Sequence, residues 1–266
     1  MELHLEGKTA LVTGGSAGIG LACARGLVAE GVHVAIVSRS PERLAGAVAA
    51  LEAVAATRAR PPRVVAIAAD LSRADDVTRA AAEARATLER IDILVNNAGS
   101  AMGGPFFSLG DDAFLAAWNL KLLGYIRMTR AVAPEMIARR DGRIVNIVGG
   151  AARTPAPTFL TGSTANAAIL NFTRGLSKEL APHNVRINAI SPGSTATERA
   201  ERLIAADAVG GTTLEQARES RLARIPMHRM THPDEIAAMM LLLVSDRTAS
   251  MTGAEVLIDG GAAPGI

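Results

Sequence analysis

The sequence predicts an α/β protein with a parallel sheet of seven strands and helices on both faces. Seven short apolar runs alternate along the 266 residues with longer stretches of helical periodicity. The runs are apolar throughout, which is typical of strands covered on both faces of a parallel sheet. The first run leads directly into a glycine-rich turn, as in doubly wound, Rossmann-type sheets. The predicted strands are 9–12, 32–37, 64–68, 91–95, 143–148, 186–190 and 255–258.

Short polar residues, proline and glycine mark the predicted helix boundaries. Gly31 is expected to close the first helix, because glycine readily adopts the backbone conformation that ends helices. Ser40 followed by Pro41 predicts the start of the second helix, and Ser72 predicts the cap of the third. The chain contains no linker-like or repeated segment, so we expect a single domain over residues 1–266.

Composition and charge exclude several classes of function. The net charge of +2 and the isoelectric point of about 9.1 come mainly from arginines interspersed with acids, so no nucleic-acid-binding stripe is expected. Residues 1–7 do not resemble a signal peptide, and the longest apolar run, 236–244, is too short to cross a membrane. Cys23, the single cysteine, is expected to be a small buried hydrophobe. The sequence thus predicts a soluble, cytoplasmic protein.

The glycine-rich turn predicts a seat for a pyrophosphate. Gly14 permits a tight strand-to-helix turn, Gly18 lets the backbone approach a phosphate, and Gly20 lets the helix pack closely on the sheet. The following helix would offer free N–H groups and the positive end of its dipole to the anion. The predicted phosphate-binding residues are Gly14, Ser16, Gly18, Ile19 and Gly20.

The second predicted strand ends in Ser38, Arg39 and Ser40, where an NAD-binding site would normally have an acid for the ribose 2′-hydroxyl. An arginine between two hydroxyls instead suits a 2′-phosphate. We therefore expect NADP(H) as the preferred cofactor, with NAD(H) possible. The alternative interpretation of Arg39 is a solvated loop residue.

The third and fourth predicted strands end in further cofactor-binding candidates. Asp70 and Leu71 suit the adenine edge. Asn97 can brace neighbouring strands, while Ala98 and Gly99 let the backbone lie against a cofactor.

Together these residues resemble the short-chain dehydrogenase/reductase family in its single-domain form. The resemblance covers nearly the whole chain and implies an oxidoreductase that acts on a small molecule. It further implies that Pro192, Gly193, Thr195 and Thr197 hold the nicotinamide carboxamide, that residues 194–229 form a lid, and that the protein is a homotetramer or homodimer. The motifs that carry it are 13–20, Asp70, 96–99, Asn119 within 118–121, 142–147, 185–193 and 259–261.

The chain departs from this family at its catalytic positions. The family uses a serine after the fifth strand, then a tyrosine thirteen residues later and a lysine four residues further on. These positions fall on Gly149, Gly162 and Asn166. The only tyrosine is Tyr125, and none of the three lysines lies between residues 149 and 176. The phenol that normally protonates the substrate, with a pKa lowered by the lysine, is therefore missing.

Few candidates remain for the chemistry. Asn119 retains its usual identity, either as a catalytic residue or as one that mends a helix irregularity, and Asn166 can still bind ribose hydroxyls or lie on the helix surface. Gly149 and Gly162, which lack the side chains usual at these positions, are expected to leave room for a water or a bulkier substrate. Arg153 could stabilise an oxyanion. The histidines show no metal-ligand spacing, so no metal is expected. Arginines of the lid suggest an anionic substrate or a solvated helix face: Arg199, Arg202, Arg218, Arg221 and Arg224.

Two classes of function follow. The first is an NADP(H)-dependent oxidoreductase of carbonyl or imine substrates, in which a water, a substrate group or an iminium replaces the usual acid. The second is a dinucleotide-binding sensor or scaffold, or a non-redox enzyme on the same fold.

Overall fold

Seven parallel strands form one sheet in the computed structural model, which describes residues 2–208 and 211–263. They are β1 (Thr9–Thr13), β2 (His33–Ser38), β3 (Val64–Ala68), β4 (Ile93–Asn96), β5 (Gly142–Ile147), β6 (Val185–Pro192) and β7 (Glu255–Ile258). Their order is β3-β2-β1-β4-β5-β6-β7, so the direction of winding reverses between β1 and β4. In such sheets a crevice opens beyond the carboxyl ends of the strands at this reversal.

Helices cover both faces of the sheet. The first helices are α1 (Gly18–Ala29), α2 (Pro41–Ala55), α3 (Ala74–Leu88), α4 (Asp111–Ala117) and α5 (Gly124–Arg139). A π-helical turn over Trp118–Leu123 joins α4 to α5. The remaining helices are α6 (Leu160–Leu180), α7 (Glu198–Asp207), α8 (Leu214–Leu222) and α9 (Pro233–Val244).

Two apolar clusters, one on each face, explain the continuously apolar strands. Val12 packs into the cluster formed with α1, α2 and α9, while its neighbour Leu11 packs into the cluster formed with α3, α5 and α6. Both residues are fully buried. Since successive strand residues point to opposite faces, each needs an apolar side chain. The predicted fold class is confirmed, and the strands lie within two residues of their predicted bounds.

The predicted helix boundaries are correct at two positions and wrong at one. Ser40 caps α2 by accepting a hydrogen bond from Arg43 N at 3.2 Å, and Gly31 has a φ of 80° just after α1. Ser72 does not cap α3, because its hydroxyl donates to Asp70 Oδ1 at 2.8 Å, and the helix instead begins after residue 73. Cys23 is buried as expected, and burial raises the pKa of its thiol to about 12. Within the described ranges, no helix has both the length and the hydropathy that a bilayer crossing requires.

A buried chain of polar side chains ties the ends of β4 and β5 to the helices. Asn96 Nδ2 donates to Asn146 Oδ1 at 2.9 Å and to Thr129 Oγ1 at 3.2 Å. Asn146 Nδ2 in turn donates to Thr173 Oγ1 at 2.9 Å. Both asparagines are fully buried, so each bond replaces one that water would make in the unfolded chain. The network fixes the floor of the crevice.

Replacing Asn146 by alanine is expected to lower the free energy of unfolding by about 1–3 kcal/mol, because it leaves buried polar partners on Asn96 and Thr173 unsatisfied. Urea denaturation measures the change. Asn171→Ala, on the exposed side of α6, is the matched control and should change stability by less than about 0.5 kcal/mol. Equal effects of the two substitutions would contradict the role given to the network.

Candidate active site

The turn between β1 and α1 has the geometry of an anion seat. Gly14 and Gly18 adopt φ values of 64° and 54°, and a Cβ at Gly20 would overlap the carbonyl oxygen of Gly14. Ala17 precedes α1 and provides no side-chain cap, so the first N–H groups of the helix are left for another acceptor. The dipole of α1 adds positive potential at the same point. These residues fit a bound pyrophosphate.

Asn97 braces this turn against the end of β4. Its Nδ2 donates to the carbonyl oxygens of Thr13 and Gly14, both at 3.2 Å. Thr13 Oγ1 accepts hydrogen bonds from the backbone N–H groups of Asn97 and Ala98, at 2.9 and 3.1 Å. These bonds join β1 to β4 across the reversal of the sheet, at the level where a dinucleotide would lie.

A groove runs from this turn across the ends of β2 and β3. Asp70, the candidate for the adenine edge, lies beside the groove, where its Oδ1 accepts hydrogen bonds from Ser72 N and Ser72 Oγ. Leu71 lies in the groove and is 4% exposed. The groove is lined by Gly14, Val37, Ser38, Arg39, Ala69, Leu71, Ala98, Gly99, Ser100 and Leu120.

The end of β2 presents an exposed arginine beside hydroxyl groups. Ser16 Oγ donates to Ser38 Oγ at 2.8 Å, which links the glycine turn to β2. Arg39 is exposed and has no hydrogen bond or ion pair to any residue within 2–208 and 211–263. Ser40 is engaged as the cap of α2 and also donates to Glu42. The guanidinium and the Ser16 and Ser38 hydroxyls are therefore the groups that suit a 2′-phosphate.

Phe159 occupies the space that the sequence predicts to be open. A Cβ at Gly162 would overlap the Phe159 ring, so the aromatic ring lies directly on the glycine. Gly149 has a φ of 130°, and a Cβ there would come 2.9 Å from Asn166 Nδ2. The expected room for a water or a bulkier substrate at Gly162 is thus wrong, because the ring of a neighbouring residue fills it.

Lys121 brings an ammonium group to the vacated positions from a different helix. Its Nζ donates to Asn166 Oδ1 at 2.6 Å and to the carbonyl oxygen of Val148 at 2.5 Å. The side chain crosses Gly99 closely, since a Cβ there would lie 2.9 Å from Lys121 Cδ. Asn166 is 3% exposed, and it is the residue to which the resemblance assigns the family's lysine position. The ammonium is therefore held against Asn166.

The surroundings of Lys121 disfavour its charge. Burial, followed by the positive charge of Arg199, lowers the pKa of the Lys121 ammonium to about 7. Arg199 lies at the start of α7 and donates from Nη1 to the carbonyl oxygen of Gly99 at 3.3 Å. Near neutral pH the amine therefore exists in both protonation states.

Asn119 does not face these groups. Its Oδ1 accepts a hydrogen bond from Arg127 Nη1 at 2.8 Å, and Arg127 also donates to the carbonyl oxygen of Ser72 at 3.1 Å. This arrangement fits the structural alternative for Asn119, which mends the irregular π-helical turn. The catalytic role of Asn119 stays a prediction that its hydrogen bonds do not favour.

The only tyrosine is sealed in the core. Tyr125 is 1% exposed, and its hydroxyl donates to the carbonyl oxygen of Ile147 at 2.8 Å. Burial raises the pKa of the phenol well above its ordinary value. Tyr125 therefore cannot serve as the missing acid.

The segment that the resemblance assigns to a lid begins where β6 ends. Pro192 is buried, Gly193 packs on Asp259, and Thr195 forms a bridge to Thr231. Thr197 Oγ1 caps α7 by accepting from Ala200 N at 3.3 Å, and Thr197 also packs on Gly18. The start of α7 thus packs on the glycine turn, and the lid over residues 194–229 stays a prediction.

Most charged groups of the lid are paired with acids. Arg218 pairs with Glu201 at 2.5 Å, Arg221 with Asp207 at 2.7 Å, and Arg202 with Glu198 at 3.8 Å. Arg224 is exposed. These residues form a solvated face, and Arg199 alone of the five bonds to Gly99 in the crevice.

His228 of residues 194–229 and Arg153, the candidate for stabilising an oxyanion, are both engaged with carboxylates. His228 Nε2 lies 3.2 Å from Glu219 Oε1 on the exposed surface. Arg153 pairs with the buried carboxylate of Glu255 at 2.8 Å, so its charge is already matched. Among the described residues no cluster of three or more potential metal ligands occurs.

Sequence reasoning missed Lys121 as a site residue, because the lysine was sought within residues 149–176. One signal was present. Lys121 is the only charge between Asp112 and Arg127, and it is flanked by leucines and an aromatic residue. A lone ammonium inside an apolar stretch indicates a buried amine, and buried ionisable groups cluster at functional sites.

The sheet reversal, the glycine turn and the groove define a dinucleotide-binding protein of the doubly wound class. More narrowly, the chain belongs to the short-chain dehydrogenase family, because the model of that family, described as short chain dehydrogenase, matches residues 8–208. Members of this family that resemble the chain are oxidoreductases.

Several relatives match along their whole length. The 2,3-dihydro-2,3-dihydroxybenzoate dehydrogenase of Bacillus subtilis is 34% identical over 98% of both chains. The 3-oxoacyl-(acyl-carrier-protein) reductase of Thermotoga maritima is 33% identical over 97% of this chain and 99% of its own. The structure of L-sorbose reductase from Gluconobacter frateurii, complexed with NADPH and L-sorbose, is 28% identical with a TM-score of 0.93 and full coverage of both chains. A nicotinamide dinucleotide is therefore the supported class of cofactor.

The lowered pKa of Lys121 predicts a pH-dependent contribution to stability. The unfolded chain has an ordinary lysine with a pKa near 10.4, so between about pH 7 and pH 10 it binds more protons than the folded chain. Unfolding free energy should then rise with pH in this window, by at most about 1.4 kcal/mol per unit, relative to a Lys121→Met variant. Urea denaturation at pH 7, 8.5 and 10 measures the difference. Lys178→Met replaces an exposed lysine, and its unfolding free energy should change with pH in the same way as that of the unsubstituted protein.

Proposed function

We propose that this protein is an NADP(H)-dependent oxidoreductase that reduces a carbonyl or imine of a small molecule by non-standard proton delivery. The observation that carries the proposal is the groove from Arg39 past the glycine turn to Gly99, where Lys121 packs on Gly99 and bonds to Asn166. When bound, the cofactor supplies or accepts two electrons and a proton at its nicotinamide. The chain's own residues bind it, orient it and handle the proton on the substrate.

Each part of the crevice has a task in this proposal. The N–H groups at the start of α1 hold the pyrophosphate, with Ser16, Gly18 and Ile19 around it. Leu71 borders the adenosine half with Asp70 beside it, and Ala98 and Gly99 continue the groove towards Lys121. Pro192, Gly193, Thr195 and Thr197 hold the carboxamide end, and the Asn166 Nδ2 group is left for ribose because Oδ1 is already bound by Lys121.

Arg39 is expected to select the phosphorylated cofactor. Because a charge-assisted hydrogen bond contributes about 1.5–3 kcal/mol, Arg39→Ala should weaken NADPH binding roughly 10- to 100-fold and leave NADH binding within about threefold. Titrations that follow nucleotide fluorescence measure both affinities. Arg43→Ala is the control, since that arginine pairs with Glu198 at 3.2 Å and should affect both cofactors equally little. Parallel losses for the two nucleotides would show that Arg39 does not read the phosphate.

Arg199 also favours one chemical class of substrate. It bonds to Gly99 beside Lys121, so a guanidinium and an amine that accepts a proton near neutral pH flank the same part of the crevice. Such a pair favours a substrate that carries a carboxylate or another anion near its reducible carbon.

NADPH is expected to raise the melting temperature of the protein. In a panel of keto acids, ketones and cyclic imines, at least one compound is expected to be reduced while NADPH is oxidised. Binding stabilises the folded state by an amount that grows with ligand concentration over Kd, so the shift should increase with NADPH. Absorbance of the nicotinamide measures turnover. A protein that binds NADPH without oxidising it across the panel would contradict the redox proposal.

That outcome would instead support the second candidate, a dinucleotide-binding sensor, a scaffold or a non-redox enzyme. The Phe159 ring on Gly162 favours it, because this packing closes the position from which the family's phenol acts. A protein that neither binds nor oxidises NADPH would contradict both candidates.

We also propose a homotetramer, as the family resemblance implies. Exposed apolar side chains at the loop after β4 and along α4 and the π-helical turn support an interface there, namely Met102, Phe106, Phe107, Leu115 and Leu123.

A further inference from the structure

We propose that Lys121 is the proton donor of this active site, and that it replaces the absent phenol from a different helix. The inference rests on the proposed oxidoreductase function and names the group that completes it. The supporting observations are the position of the amine, its free hydrogen-bonding capacity and the charges around it.

The position of the amine is set by groups on both sides of Gly149. Val148 immediately precedes that glycine, and Asn166 Nδ2 lies against it, while Lys121 Nζ bonds to both neighbours. Gly149 is the position of the family's serine, at the carboxyl end of β5. The ammonium therefore lies beside the point where the resemblance places the reacting carbonyl.

One N–H of the ammonium remains available. Lysine has three donors, and Lys121 uses one on Asn166 Oδ1 and one on the Val148 carbonyl oxygen. Across residues 2–208 and 211–263 the third has no protein acceptor. The two bonds fix the amine in place, so the free donor is oriented before a substrate arrives.

The charges around the amine permit it to release a proton. Arg199 faces it from α7, and its charge opposes a second positive charge. Arg153, in the loop after β5, is turned to Glu255. On α5, which follows the turn that carries Lys121, Arg127 bonds to Asn119 and Tyr125 bonds to the Ile147 carbonyl oxygen. Asn166 on α6 is neutral. No carboxylate from the described residues pairs with the ammonium.

The step balances without another reactant. Two electrons and one proton pass as a unit from the reduced nicotinamide to the carbonyl carbon, and the π electron pair moves onto the carbonyl oxygen. That oxygen takes a proton from Lys121 Nζ as the N–H bond breaks. The cofactor is oxidised, the carbonyl becomes an alcohol, and the neutral amine recovers its proton from solvent.

The first test measures the amine without turnover. The chain has only three lysines, Lys8, Lys121 and Lys178, so lysine labelled with ¹³C at Cε gives three signals, assigned with Lys8→Arg and Lys178→Arg. The Lys121 signal is expected to titrate near pH 7, well below the ordinary range of a lysine. Arg199→Leu should raise the Lys121 midpoint, and Arg224→Leu, elsewhere in the lid, should not. A Lys121 midpoint above about pH 9.5 would overturn the inference.

The second test separates proton donation from charge alone. Lys121→Ala should lower kcat roughly 10²- to 10⁴-fold, the range typical of removing a general acid, and leave NADPH affinity within about threefold. Added ethylamine can enter the space left by the lysine side chain and donate a proton. It should recover at least about a tenth of the kcat that the substitution removes. Added guanidinium, which keeps its proton, should not.

The outcomes keep the inference and the proposed function apart. Equal rescue by guanidinium, or a Lys121→Ala variant within threefold of the original kcat, would overturn the proton-donor role while the protein remains a reductase. Failure of the unsubstituted protein to oxidise NADPH would remove the proposed function and the inference together, and it is recognised before any variant is made.

Discussion

The hydrogen bonds that join the carboxyl ends of β1, β4 and β5 are the constraint on which the rest of the structure depends. Asn97 and Thr13 hold the glycine turn against β4, and Asn96 with Asn146 holds β4 against β5 and the helices behind it. The carboxyl ends of parallel strands lie along one edge of the sheet. The hydrogen bonds of these asparagine side chains therefore set the distances between the groups that follow the strands.

Much of the fold could be predicted from the sequence because local pattern and tertiary environment agree. Continuously apolar runs became strands covered by helices on both faces, and Ser40 with Pro41 began a helix where expected. Ser72 shows the limit of such reasoning. Its hydroxyl had two possible partners, and the carboxylate of Asp70, which is closer in the folded chain, replaced the helix N–H groups.

The candidate site could be predicted only as far as its backbone motifs. The glycine turn and the strand ends are local features, so Gly14, Leu71 and Gly99 appear together in the groove. Lys121 could not be found in the same way, because its position beside Asn166 depends on how the π-helical turn packs on α6. A side chain absent from one position in the sequence can be replaced in space from another element, and spacing along the chain does not record such a substitution.

Lys121 lies in the π-helical turn Trp118–Leu123, so the direction of its side chain depends on the number of residues in that turn as well as on the residue type. Consecutive residues of an α-helix differ by about 100° in direction, and the wider turn accommodates one more residue than an ordinary turn. Loss of a single residue there would rotate Lys121 relative to α5 without altering any side chain. An insertion or deletion in this turn would therefore redirect the amine even in a relative that keeps the lysine itself.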